Sequence, residues 1–143
     1  MEARRSGPES PVGRAWVVTL MPLRVLAADD DPTARLLLQA ALGGGDFALT
    51  LVDNGSDALT SFQQSVFDIA VLDVEMPGLD GFDVCAAIRQ ARGDAFPLVL
   101  VTGRSDHEFF DRAVQLSASY IIKPVNWGSL ADLLRSLIAV KTR

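Results

Sequence analysis

The sequence predicts an α/β fold: a doubly wound parallel sheet of five strands with helices on both faces. Five short apolar runs alternate with five segments whose apolar residues recur at the helical period. The central run, Ile69 to Leu72, is too short for a helix and is bounded by turn residues, as expected of a strand buried on both faces. This alternation calls for a parallel sheet with right-handed crossovers. At 143 residues and 49% hydrophobic content, the chain suits one domain with a two-sided core.

Residues 1–14, MEARRSGPESPVGR, mix glycine, proline, serine and charge without periodicity. Residues 1–21 are expected to form a disordered or loosely docked extension, and 22–143 the folded domain. Leu23 to Ala28 is the first strand, running into Asp29, Asp30 and Asp31. Asp31 before Pro32 has the form of a helix cap with proline at the first helical position. The helix to about Leu42 is expected to turn Leu36, Leu37, Ala40 and Ala41 inward. It stops at Gly43, Gly44 and Gly45; no Lys-Ser/Thr follows, so these glycines are not a phosphate-binding loop. Phe47 to Val52 is the second strand. Asn54 and Gly55 turn the chain into a helix from Ser56 to about Gln64, with Ala58, Leu59 and Phe62 at core spacing.

Ile69 to Leu72 is the third strand, ending in Asp73 and a Pro/Gly turn. Asp80 caps a helix from Gly81 to about Ala91, with Phe82, Cys85, Ala86 and Ile88 or the Arg89 stem inward. Cys85 reads as a small core residue, since no base accompanies it. Leu98 to Val101 is the fourth strand, ending at Thr102. Ser105 and Glu108 have capping-box spacing, which starts the fourth helix at Ser105. That helix carries more large apolar residues (Phe109, Phe110, Val114, Leu116) than one inward face accepts, so part of it is expected to be exposed. Tyr120 to Ile122 is the fifth strand, ending at Lys123 and Pro124. Asn126 caps a last helix, about Ser129 to Val140, with Leu130, Leu133, Leu134, Leu137 and Ile138 at helical spacing.

Composition excludes several classes. Thirteen basic against eighteen acidic residues leave a net charge of -5, which disfavours sequence-independent nucleic-acid binding. One cysteine excludes an internal disulfide and fits a reducing compartment, with the cytoplasm as the expected location. Ala15 to Ala28 is interrupted by Pro22 and Arg24 and is too short to span a bilayer. The lone histidine, His107, is expected at the surface of the fourth helix, not as a phosphodonor.

The strand ends carry the chemistry. In open α/β sheets, ligands bind at the carboxyl edge where strand order reverses. Asp29 and Asp30, Asp73, Thr102 and Lys123 all fall on that edge. Hard oxygen ligands with room for water suit Mg2+. Two carboxylates about 4 Å apart repel by roughly 4 kcal/mol at an effective dielectric of 20, so the cluster calls for a cation. With a metal and Lys123 neutralising charge and Thr102 donating a hydrogen bond, the arrangement suits phosphoryl transfer to a carboxylate. Asp73, alone at its strand end, is the expected nucleophile.

The motifs VLAADDDPTAR, VLDVEMPGLDG, LVLVTGRS and YIIKPV, in this order, resemble those of response-regulator receiver domains of two-component phosphorelay signalling, over roughly Leu23 to Val140. The resemblance implies the flavodoxin-like receiver fold with strand order 2-1-3-4-5, and a domain like the single-domain chemotaxis regulators. It implies Asp73 as phosphoacceptor, Asp30 as direct Mg2+ ligand, Asp29 as a second acid and the Glu75 backbone carbonyl as a further ligand. Thr102 would follow the phosphoryl group and Lys123 would pair with it. Tyr120 would carry the switch to the face made by the fourth helix, fifth strand and fifth helix. The Lys123–Pro124 pair matches one often joined by a cis peptide.

The implied partners are a histidine kinase or histidine phosphotransfer protein and a downstream protein target, without direct contact to nucleic acid or membrane. The chain would catalyse only its own phosphorylation and dephosphorylation. The alternatives are a receiver-like interaction module that takes no phosphate, and the receiver portion of a larger regulator or hybrid kinase. A Mg2+-dependent hydrolase is disfavoured because the DxD nucleophile signature is absent, Asp73 being followed by Val74 and Glu75. Three departures from the family pattern stand out. Glu75 and Arg104 occupy positions that in the family modulate dephosphorylation, and an ion pair between them is expected in at least some states. Gly103 replaces the commoner alanine, and LSAS at 116–119 lacks the usual glycine.

Overall fold

The computed structural model describes residues 21–141. Of the expected N-terminal extension only Met21 falls within them. Five strands, β1 (Leu23–Ala28), β2 (Phe47–Val52), β3 (Ile69–Asp73), β4 (Leu98–Thr102) and β5 (Ser119–Ile122), form one sheet in the order β2-β1-β3-β4-β5. All neighbours are parallel. The helices between and after them are α1 (Pro32–Leu42), α2 (Gly55–Gln64), α3 (Gly81–Arg92), α4 (His107–Gln115) and α5 (Trp127–Lys141). Among the described residues no helix is long and apolar enough to cross a membrane.

Alternation along the strands divides the core into two layers. Leu26, Ala28, Ala70, Leu72, Leu98 and Leu100 pack with Ala58 of α2, Phe82, Cys85 and Ile88 of α3, and Phe109 and Ala113 of α4. Val25, Ala27, Ile69, Val71, Val99 and Val101 pack with Leu38 and Leu42 of α1 and Leu130, Leu134 and Ile138 of α5. β3 is buried at every position, whereas β2 at the sheet edge buries only Phe47. Burial pushes the Cys85 thiol up to about 11, in keeping with an inert core residue.

The structure moves several expected faces and boundaries. In α1, Leu38 and Leu42 face the core, while Leu36, Leu37 and Ala40 are exposed and Ala41 is half-buried. PTARLLLQAAL is apolar around most of its circumference, so its periodicity does not choose a face. Arg35 does: its Nη1 donates to the Asp29 carbonyl at 3.0 Å, which turns the positions three and seven further along toward the sheet. In α3 the exposed residue is Ala86, and Val84 is buried in its place.

Helix α4 begins at His107 with Asp106 as its cap residue, so the Ser105–Glu108 box does not form. The Asp106 carboxylate instead accepts from Arg104 Nε and Nη2 at 3.0 and 2.8 Å. A bidentate charged pair outcompetes a neutral capping bond. Helix α5 starts two residues earlier than expected, at Trp127. The missing glycine in LSAS has a structural counterpart, since Ser117 adopts a left-handed φ of 53°.

The corrected α1 face is directly testable. Leu38→Ala should cost about 2–4 kcal/mol in urea denaturation, as for other buried leucines, whereas Leu36→Ala should change stability by less than about 0.5 kcal/mol. Equal costs at the two positions would place the inward face elsewhere.

Candidate functional site

Parallel register brings the functional side chains together. Ala28 lies opposite Leu72, so the next residues, Asp29 and Asp73, emerge side by side where β1 and β3 adjoin and the strand order reverses. Asp73 lies opposite Val101, and Thr102 opposite Ile122, which is followed by Lys123. The Lys123 backbone N–H donates to the Thr102 carbonyl at 2.7 Å, so the last strand end is tied to its neighbour. The Lys123–Pro124 peptide is cis.

Asp29 and Asp73 are almost completely buried, at 4% and 2% exposure, whereas Asp30 is exposed. Each of the three offers a carboxylate oxygen, and these oxygens lie within 4.8 Å of one another. Asp29 Oδ1 accepts from the Asp31 backbone N–H at 3.0 Å. Lys123 Nζ donates to Asp73 Oδ1 at 3.0 Å. Even with this lysine, burial outweighs the ion pair, and with Asp29 and Glu75 adding repulsion the Asp73 carboxyl is raised to about 6. Burial likewise raises Asp29, despite its backbone hydrogen bond and Lys123.

The loop after β3 is held from below. Val74 N–H donates to the Val101 carbonyl at 2.9 Å, and Gly81 N–H to the Val74 carbonyl at 3.1 Å. A Cβ on Gly81 would lie 2.5 Å from the Asp73 carbonyl oxygen, so only glycine lets α3 start directly beneath the acid. The Asp80 and Asp83 backbone N–H groups each donate to the other's carboxylate in a full capping box, which fixes the other end of the loop.

Thr102 is fully buried, and its hydroxyl donates to Glu75 Oε2 at 2.7 Å while accepting from Arg104 N–H at 2.9 Å. The Gly103 N–H lies 3.4 Å from Glu75 Oε1. Arg104 does not pair with Glu75 as expected. Its guanidinium holds Asp106, with Glu108 at 3.7 Å, because a partner two residues away costs less chain ordering than one across the site. Tyr120 is 45% exposed and packs against Phe109 and Phe110 at ring-centroid distances of 5.7 and 5.0 Å. His107 is exposed on the first turn of α4.

Two features escape sequence reading. Glu75 binds Thr102, although the spacing from Asp73 shows only that an acid is near. Arg89 binds four carbonyls: Nε reaches Leu116 at 2.6 Å, Nη1 reaches Gly93 at 2.8 Å and also Phe96, and Nη2 reaches Ser117 at 2.9 Å. The one hint in the sequence is that helical spacing puts the Arg89 stem on or beside the inward face.

Asp73's raised pKa fixes the sign of a pH effect. The folded protein holds this proton more tightly than the unfolded chain, whose carboxyl has the ordinary value of 3.8. Asp73's contribution to stability therefore falls as pH rises from about 4 to about 6 and stays lost above that, a cost of roughly 3 kcal/mol. Asp73→Asn should exceed the parent in stability by about 1–3 kcal/mol at pH 7.5, with the gain largely gone at pH 4. Urea denaturation at the two pH values measures this; a gain independent of pH would contradict it.

Comparison with known proteins agrees with the geometry. Residues 25–135 match the family model of the response regulator receiver domain. The DNA-binding response regulator MtrA of Mycolicibacterium smegmatis is 33% identical over 117 residues, covering 81% of this chain and 50% of that protein. The chain thus spans about half the length of the curated relatives it matches. Among solved structures, chemotaxis protein CheY4 of Vibrio cholerae shares 26% identity at a TM-score of 0.74, over 81% of this chain and 98% of that one. Response regulator TrrA of Thermotoga maritima, solved in complex with Mg2+ and BeF, shares 31% identity at a TM-score of 0.71, over 80% and 98%. With the family model covering most of the chain and the strand order matching, the chain belongs to the response regulator receiver domains of two-component signalling.

Proposed function

We propose that this receiver takes a phosphoryl group on Asp73 from a histidine kinase or histidine phosphotransfer protein, with Mg2+, and passes the signal on by protein contact. The observation that carries this reading is the convergence of Asp29, Asp30, Asp73, Thr102 and Lys123 on one sheet edge. The donor set fits Mg2+: Asp30 and Asp73 would hold it directly, Asp29 directly or through water, and the Glu75 backbone carbonyl would complete the protein ligands, with the solvent side of Asp30 open to water. When bound, the metal supplies positive charge to the transferred group's oxygens.

The remaining work belongs to the chain. Asp73 presents a carboxylate oxygen for in-line attack, and above pH 6 it is mostly ionised. Lys123, already 3.0 Å from that carboxylate, neutralises added negative charge. Thr102 offers its hydroxyl to a phosphoryl oxygen. Because its neighbours Gly103 and Arg104 lead into α4, a shift of Thr102 is transmitted toward Phe109, Phe110 and Tyr120. Glu75 and Arg104 flank the route by which water would reach the phosphoryl group, and so set how long it persists.

The output surface is the α4–β5–α5 face. Val114, Tyr120, Ile122 and Leu133 expose apolar area on these three adjacent elements, which suits protein contact. The same face would serve whether the recipient is a separate protein or a further segment of a longer chain. In this reading the protein is not an enzyme for an external substrate, and its partner kinase places it in the cytoplasm.

Incubation with acetyl phosphate and Mg2+ should add one phosphoryl group by intact mass. Asp73→Asn should abolish the gain, and Asp30→Asn should weaken Mg2+ binding by about tenfold or more in a calorimetric titration. Mg2+ binding without any phosphoryl gain would favour a receiver-like module that signals unphosphorylated.

A further inference from the structure

The oxygens of a phosphoryl group on Asp73 need hydrogen-bond donors. Two donors at this edge, the Thr102 hydroxyl and the Gly103 N–H, already face an anion. Thr102 Oγ1 donates to Glu75 Oε2 at 2.7 Å, and Gly103 N–H lies 3.4 Å from Glu75 Oε1. A carboxylate presents two anionic oxygens, as the exposed side of a phosphoryl group would. The cations that share the site are committed elsewhere, Lys123 to Asp73 and Arg104 to Asp106 and Glu108. Glu75 is therefore held by hydrogen bonds to these donors, with Lys123 and Arg104 close enough to feel its charge but bonded elsewhere.

Resting on the reading of Asp73 as phosphoacceptor, we propose that Glu75 is an internal competitor for the phosphoryl group, occupying the Thr102 and Gly103 donors until it is displaced. The hydroxyl of Thr102 carries one hydrogen, so donation to Glu75 and donation to a phosphoryl oxygen exclude each other. It also accepts from Arg104 N–H at 2.9 Å, which helps to hold the hydroxyl with its hydrogen on Glu75. Transfer forms a bond from an Asp73 oxygen to phosphorus while the donor's P–O or P–N bond breaks, the leaving group keeping the electron pair. The arriving oxygens then meet a carboxylate where they require donors. Glu75 is exposed and lies in a loop, so it can rotate into water without disturbing the core. Its departure frees Thr102 to turn toward Asp73. Uptake of the phosphoryl group and release of the segment leading to α4 become one event.

The role differs from setting the rate of dephosphorylation, because it acts on an equilibrium before any transfer. The test uses beryllofluoride, a stand-in for the phosphoryl group that undergoes no transfer, titrated calorimetrically into the Mg2+-loaded protein. Acetyl phosphate loading is followed in parallel by intact mass. Glu75→Ala should bind beryllofluoride roughly tenfold tighter and load faster, since a charge-assisted hydrogen bond no longer has to be broken. Glu75→Gln, which keeps an acceptor but loses the charge, should fall between the two. In a Thr102→Ala background the gain from Glu75→Ala should largely disappear.

Unchanged or weaker beryllofluoride binding by Glu75→Ala, with the parent binding normally, would overturn the proposal. So would a gain undiminished by Thr102→Ala, which would reduce Glu75 to simple charge repulsion. Absence of both beryllofluoride binding and loading in the parent, with Mg2+ bound, would instead remove the phosphoacceptor reading beneath it. Because the Glu75 side chain is exposed but accepts from buried Thr102, its variants should keep a cooperative thermal transition lowered by only a few degrees, which separates these outcomes from misfolding.

Discussion

Two buried carboxylates, side by side, are the constraint on which the rest of this structure depends. Parallel pairing of β1 with β3 places Asp29 next to Asp73 at the end of strands whose adjoining residues are all buried and apolar. Carboxylates removed from water repel each other and resist ionisation. The surrounding chain answers this with local donors and a single cation: Asp31 N–H on Asp29 and Lys123 on Asp73. Neither restores the ordinary acidity of the pair. The edge is held poised for positive charge, and its stability is given up for that readiness.

Much of this was legible in the sequence. Strand positions follow from short apolar runs, since a strand buried on both faces has almost no other composition available. That Asp29, Asp30, Asp73, Thr102 and Lys123 share an edge follows from each standing at a strand's carboxyl end, a consequence of topology that requires no side-chain detail. Helix orientation was less legible where a segment is apolar all round. In α1 the inward face is matched by Arg35 reaching back six residues to the Asp29 carbonyl, a contact that leaves no periodic trace. The start of α4 was misplaced for a similar reason. Ser105 and Glu108 have the right spacing for a cap, but Arg104 takes Asp106 in a stronger charged pair and moves the start by two residues.

Glu75 shows the limit most clearly. Its position near the acceptor suggests repulsion and hence a need for Arg104. The structure satisfies it with a hydroxyl and a backbone N–H, groups whose directions are set by how β4 ends and not by residue type. Glycine at 81 belongs to the same class of constraint. Its role is visible only once α3 is seen to begin against the Asp73 carbonyl.

Arg89 has a mechanical consequence. One guanidinium grips carbonyls at the end of α3, at the entrance to β4 and at the turn between α4 and β5. The C-terminal end of α4 is thereby pinned to the body of the domain by polar contacts, while its N-terminal end is held by Phe109 in the core and by the short segment from Thr102 to Asp106. Such a helix behaves as a lever with its fulcrum at Leu116 and Ser117. A displacement of Thr102 would bear first on the end of the helix next to Asp73 and least on the turn into β5.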